Sequence, residues 1–130
     1  MANKPILFYV MENIVSTNVN DIGTIISPET GEEIKRVVGN GDRWGVSIQY
    51  TLQDRPGGLA YSVKVARPFL ARSPFVMYLG ENLVGDKLDG FIEVFRKNNA
   101  DEVILLKPVE DPRAFGVAEV AEDGRILRLE

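Results

Sequence analysis

Any chemistry in this chain is done without imidazole or thiol. The 130 residues contain no histidine and no cysteine. That removes Ser-His-Asp triads, imidazole bases, His-ligated zinc, thiolate metal sites and disulfides together. Carboxylates, Lys, Arg, hydroxyls, side-chain amides and backbone amides remain. The stretch that gathers them runs from Thr51 to Asn82. It reads as strand end, loop, helix, strand and loop. Leu52-Gln53-Asp54-Arg55-Pro56-Gly57-Gly58-Leu59-Ala60 stands at one end and Phe75-Val76-Met77-Tyr78-Leu79-Gly80-Glu81-Asn82 at the other. Open α/β sheets bind ligands outside the carboxyl ends of their strands. A site built here therefore lies between Gln53, the Pro56-Gly57-Gly58 turn and Glu81. On spacing alone, ordinary surface turns are the stronger reading of the same residues.

The frame for these residues is set by size and composition. A length of 130 residues suggests one domain over 1–130. Such a chain buries about two-thirds of its unfolded surface, enough for a single core. A hydrophobic content of 45% fits a globular protein. The formal net charge of −4 leaves no broad basic field for nucleic acid. The apolar runs are far too short to span a bilayer, and no signal-peptide pattern is present. The expectation is a soluble, cytoplasmic protein with neither nucleic acid nor membrane as partner.

The elements alternate. Pro5 is placed at the first position of a helix that runs to about Ser16, with Leu7, Val10, Met11 and Ile14 on one face. Ile22 to Ser27 reads as a buried strand. Thr30 and Glu33 fit a capping box for a helix that turns Ile34, Val37 and Val38 inward. Gly39-Asn40-Gly41 follows a helix and precedes a strand, so it reads as a C-cap and turn, not as a phosphate loop. Trp44 packs beneath that turn. Val46, Ile48, Tyr50 and Leu52 alternate with polar residues, as in a strand near a sheet edge. A helix with the stripe Leu59, Val63 and Ala66 is ended or kinked by Pro68. Phe75–Leu79 and Val103–Leu106 are continuously apolar, as strands buried on both faces are. Between them Asp86 can cap a helix with Leu88, Phe91, Ile92 and Phe95 inward. Gly116–Val120 and Arg125–Leu129 flank Asp123-Gly124, a hairpin signal. The alternation predicts an α/β fold, mostly parallel, with an antiparallel end.

Asn3-Lys4-Pro5-Ile6, Ser27 to Ile34, Leu52 to Ala60, Leu79 to Asn82 and Asp111 to Val117 together resemble the sugar-1-phosphate nucleotidylyltransferases. The nearest resemblance is to glucose-1-phosphate thymidylyltransferases of the long type. The matches are collinear over nearly the whole chain. The resemblance implies a three-layer, Rossmann-like fold of the nucleotide-diphospho-sugar transferase type. It implies nucleotidyl transfer from a nucleoside triphosphate to a sugar 1-phosphate, with release of pyrophosphate. Gln53 would read the pyrimidine base, since an amide offers both a donor and an acceptor. Gly58 would let its backbone approach the base, and Leu59 and Ala60 would line the pocket. Asn82 and Gly116 would meet the sugar. The family's Gly-Asp-Asn holds magnesium through its Asp, whereas this chain has Gly80-Glu81-Asn82. A carboxylate one methylene longer does not hold the same ion position unless something else moves. Outside the resemblance, Glu81 is a solvated loop carboxylate and Gly116 a strand-start glycine.

Two family motifs do not occur in these residues: the Gly-Thr-Arg phosphate loop with its Pro-Lys pair, and the Glu-Lys-Pro segment. The expectation is therefore a catalytically incomplete chain. The alternative is a non-catalytic module that binds nucleotide or a partner. The resemblance also implies a first strand that is missing between Ile22–Ser27 and Phe75–Leu79. Open apolar strand edges recruit another chain, so a homo-oligomer or a partner completing the sheet is expected.

Overall fold

The computed structural model describes residues 3–85 and 88–130. They fall into two compact units, Met1–Glu93 and Val94–Glu130. In chain order the first holds α1 (Ile6–Val15), β1 (Asp21–Ile26), α2 (Gly31–Val38), a 3-10 turn (Asp42–Trp44), β2 (Ser47–Leu52) and α3 (Gly58–Leu70). Helix α4 (Leu88–Asn98) spans the boundary. The second unit carries β3 (Ala118–Val120) and β4 (Ile126–Leu129).

β1 and β2 pair in parallel, with Ile22 opposite Ile48 and Ile26 opposite Leu52. Parallel neighbours need a crossover, and α2 supplies it. The core forms where α1 and α2 cover this pair. Met11, Ile22, Val38, Val46 and Ile48 make one buried cluster, with Leu7, Ile14, Ile34, Trp44 and Tyr50 packed against it. The expected face of α1 is thus the observed one. Trp44 is half-buried and meets Phe8 edge to face, with ring centres 5.2 Å apart. Gly39 ends α2 in the left-handed region, and the Tyr50 hydroxyl donates to its carbonyl at 2.5 Å. Burial pushes the Tyr50 hydroxyl pKa up, against a smaller opposing effect of Lys35.

β3 and β4 form the expected antiparallel hairpin. Its turn has the Gly124 amide donating to the Ala121 carbonyl at 2.9 Å, and Asp123 holds Arg125 at 2.7 Å. This is a four-residue turn that ends on a glycine in the left-handed region, at φ 86.

Several expectations are corrected. Phe75–Leu79 and Val103–Leu106 form no regular element and belong to no ladder among the described residues. Phe75, Met77, Leu105 and Leu106 are exposed. An apolar run becomes a strand only if a neighbour accepts its amides, and the described residues present none. The capping box at Thr30 does not form, because Thr30 has helical backbone angles and makes no side-chain cap. Instead Ser27 Oγ accepts from the Thr30 amide at 3.3 Å and lies 3.0 Å from its hydroxyl. Val37, expected on the inward face of its helix, is exposed, and so are Leu52 and Leu59 at the ends of their apolar stripes. Pro5 lies one residue earlier than expected, as the N-cap of α1. Pro68 is tolerated inside α3, which ends two residues later at Leu70. The proposed Asp86 cap lies outside the described residues.

Candidate functional site

Gln53 leaves the carboxyl end of β2 with its amide still in the ladder, donating to the Ile26 carbonyl at 2.8 Å. That bond places its side chain at the point where the chain turns toward α3. Two further bonds fix the side chain. Nε2 donates to the Arg55 carbonyl at 2.9 Å, and the Ser62 hydroxyl donates to Oε1 at 2.9 Å. Gln53 is half-buried, while Asp54 to Ala60 around it are exposed. Each end of the amide keeps one further valence for a ligand.

The turn depends on both glycines, for different reasons. Gly58 has φ +73, and a Cβ there would meet nothing within 4 Å, so the need is conformational. At Gly57 a Cβ would sit 2.4 Å from the Tyr61 ring, so the need is space. Tyr61 in turn donates its hydroxyl to Asp54 at 2.6 Å, and the Arg55 guanidinium lies 5.2 Å from its ring centre. The Tyr61 hydroxyl holds the Asp54 carboxyl below the usual carboxylate range, and Asp54 pushes the Tyr61 hydroxyl up. A carboxyl whose folded pKa is depressed contributes stability above the ordinary carboxylate pKa and loses it as pH falls through the depressed value. Tyr61→Phe is therefore expected to raise the Asp54 pKa back toward the ordinary carboxylate range. Carbon-detected NMR titration of the Asp54 carboxyl measures this; an unchanged curve would refute the pairing.

Glu81 and Asn82 occupy a separate exposed turn, closed by the Asn82 amide donating to the Leu79 carbonyl at 3.0 Å. The turn is tied to α1 at both ends. Asn13 Nδ2 donates to the Val84 carbonyl at 3.1 Å and to the Tyr78 hydroxyl at 3.4 Å, and the Val84 amide donates to the Tyr78 hydroxyl at 3.2 Å. No hydrogen bond joins Glu81 or Asn82 to Gln53 among the described residues. Glu81 belongs to no group of three or more potential metal ligands among those residues. Gly116 lies in the second unit, next to the Val117 and Glu130 backbone pair that continues the hairpin.

Sequence patterns did not single out Ser62, Tyr61, Asn13 or Tyr78. One signal was available: Ser62 falls four residues after Gly58 and so shares its helical face. A cleft of about 300 Å³ is lined by Asn3, Lys4, Pro5, Phe8, Glu12, Arg43 and Trp44, none of them a candidate site residue. Lys4 and Glu12 pair within it.

Comparison with known proteins bears on the family and the fold. A family model described as "Nucleotidyl transferase" matches residues 1–130. A glucose-1-phosphate thymidylyltransferase of Streptomyces antibioticus is 43% identical over 131 residues, covering 100% of this chain and 36% of that protein. The low-salt glycan biosynthesis nucleotidyltransferase Agl11 of Haloferax volcanii is 36% identical, over 99% of this chain and 36% of its own length. The chain thus spans roughly a third of these relatives, and 36% in both cases. A Bacillus anthracis crystal structure, solved as a candidate glucose-1-phosphate thymidylyltransferase, superposes with a TM-score of 0.85 at 29% identity, over 97% of this chain and 51% of that one. The α/β arrangement, with its parallel pair and antiparallel hairpin, is the one this likeness supports. The chain belongs to the nucleotidyl transferase family.

Proposed function

We propose that this chain supplies the base-reading part of a site for nucleotidyl transfer to a sugar 1-phosphate, with glucose 1-phosphate and a thymidine nucleotide as the substrates. In that reaction a phosphate oxygen of the sugar phosphate attacks the α-phosphorus of the triphosphate. The bond from the α-phosphorus to the bridging oxygen breaks, and pyrophosphate leaves. The observation that carries the reading is the Gln53 amide, held at a strand end beside Gly58 with a donor and an acceptor still free. Leu59, exposed on the first turn of α3, offers an apolar surface for the base. Asn82 is assigned to the sugar, by its match to the family motif. Magnesium would enter bound to the triphosphate, with Glu81 as the carboxylate of the matched motif; no step of this reading is routed through it. The thymidylyltransferases among the relatives support the substrate class.

Gln53→Ala is expected to weaken binding of a thymidine nucleotide about 2- to 13-fold, since one side-chain hydrogen bond is worth about 0.5–1.5 kcal/mol. NMR titration tests both strength and place. Shifts absent from Leu52 to Leu59, or clustered elsewhere, would refute the site.

A second reading, self-association, is favoured by the edge of β1. The ladder ends with Ser47 donating to Asn20 and Gln53 donating to Ile26. Peptide groups alternate along a strand, so Ile22, Thr24 and Ile26 face β2. Asp21, Gly23 and Ile25 face the other edge, which pairs with no strand among the described residues. We propose that a second copy of the chain takes this edge. Sedimentation equilibrium should then show a concentration-dependent dimer, with exchange protection of the Ile25 amide rising in step. A monomer at all concentrations with Ile25 already protected would show that the edge closes within one chain.

A further inference from the structure

We propose that Ser62 is a positioning residue that fixes which way round the Gln53 amide faces, so that the site reads the uracil or thymine edge and rejects cytosine. The inference rests on the base-reading role proposed for Gln53.

A glutamine amide is nearly symmetric in shape but opposite in chemistry at its two ends. Rotation by half a turn exchanges its donor and its acceptor. The two bases differ by the same exchange. Uracil and thymine present an acceptor at O4 beside a donor at N3, whereas cytosine presents a donor at N4 beside an acceptor at N3. A freely turning amide satisfies either base in one and the same pose. An amide held one way round satisfies only one of them, and leaves the other with donor facing donor or acceptor facing acceptor.

Here the amide is held from both ends. The Arg55 carbonyl is an acceptor only, and it lies 2.9 Å from Nε2. Rotating the amide would bring Oε1 against that carbonyl, two acceptors face to face. At the other end the Ser62 hydroxyl lies 2.9 Å from Oε1. A hydroxyl can donate or accept, so Ser62 alone would tolerate either orientation. Arg55 sets the direction, and Ser62 supplies the second anchor that stops the side chain from swinging out of reach of Arg55. The Ser62 hydroxyl has a single proton, for which the Gly58 carbonyl one helical turn earlier competes at 3.3 Å, a longer contact than the 2.9 Å to Oε1. Ser62 and Gln53 are half-buried, while Asp54 to Gly58 are exposed and carry little packing to hold the loop. The hydrogen bonds are therefore what orders the amide.

The test uses the whole 130-residue chain, with dUMP and dCMP as probes. These differ only in the donor and acceptor order of the base edge. Two arms are read by NMR: without nucleotide, the order parameter of the Gln53 side-chain NH₂ group, and with nucleotide, the ratio of the two Kd values. The wild-type chain should show an ordered NH₂ group and bind dUMP more tightly. Ser62→Ala should free the NH₂ group and narrow the Kd ratio by about 2- to 13-fold, the worth of one hydrogen bond. Ser62→Thr, which restores a hydroxyl, should recover both. A loop staple without a reading role would lose NH₂ order in Ser62→Ala yet leave the ratio unchanged, and that outcome overturns the proposal. An NH₂ group equally ordered in Ser62→Ala overturns it as well, before any nucleotide is added. If neither nucleotide perturbs Gln53 in the wild-type chain, the base-reading role itself has failed, and the proposal with it.

Discussion

Ile48→Ala is expected to destabilise the chain by about 2–5 kcal/mol, the range for removing a large aliphatic side chain from a core. Ile48 stands mid-strand in β2, 8% exposed, opposite Ile22 at 9%. Its neighbours in the cluster are Met11, Val38 and Val46, which come from α1, α2 and the residue before β2. The loss therefore falls where three elements meet. Domains of this size are stable by only about 5–15 kcal/mol, so one substitution removes a large part of the total. Leu52→Ala is the control. Leu52 lies on the same strand and the same face, but is 56% exposed. Its truncation is expected to stay within about 0.5 kcal/mol, as surface changes do. Urea unfolding of both variants measures the difference. Equal midpoint shifts would mean that the core is not where the α1, α2 and β2 contacts place it.

Supplied with a thymidine triphosphate, glucose 1-phosphate and magnesium, these 130 residues are expected to release no pyrophosphate above background. Phosphoryl-group transfer is catalysed almost wholly by positioning and by charge stabilisation in the transition state. Loss of a single well-aimed donor to a developing charge commonly lowers kcat about 10²- to 10³-fold. Neither the Gly-Thr-Arg run nor the Glu-Lys-Pro segment occurs in the sequence. The cation nearest in sequence to Gln53 is Arg55, which rests against the Tyr61 ring at 5.2 Å. The charged groups that those two motifs would bring to a triphosphate are therefore lacking from these residues. A coupled pyrophosphate assay decides the matter. Steady release that requires both substrates and disappears in Gln53→Ala would overturn the expectation.

What the sequence determined by itself is what depends on near neighbours along the chain. The helical stripe of Leu7, Val10, Met11 and Ile14 places α1 because positions three and four apart share a face whatever lies opposite. Asp123-Gly124 and Gly39 mark their turns because backbone preference is a property of one or two residues. The absence of His and Cys narrowed the chemistry before any fold was known. The collinear motifs pointed to the family, and to Gln53 and Gly58 within it.

Only the tertiary structure decided what depends on a partner far along the chain. Phe75–Leu79 and Val103–Leu106 have the composition of buried strands, yet among the described residues they pair with no strand. Composition records a capacity to be buried, while a ladder also needs a second backbone at the right distance. Val37, Leu52 and Leu59 obey their periodicities and remain exposed, because a face is buried only where another element covers it. The same reason hid Ser62. Nothing in a serine nine residues beyond Gln53 announces a contact; it arises because the turn at Gly57-Gly58 folds α3 back beside the end of β2, and hydrogen-bond reach extends only about 3 Å.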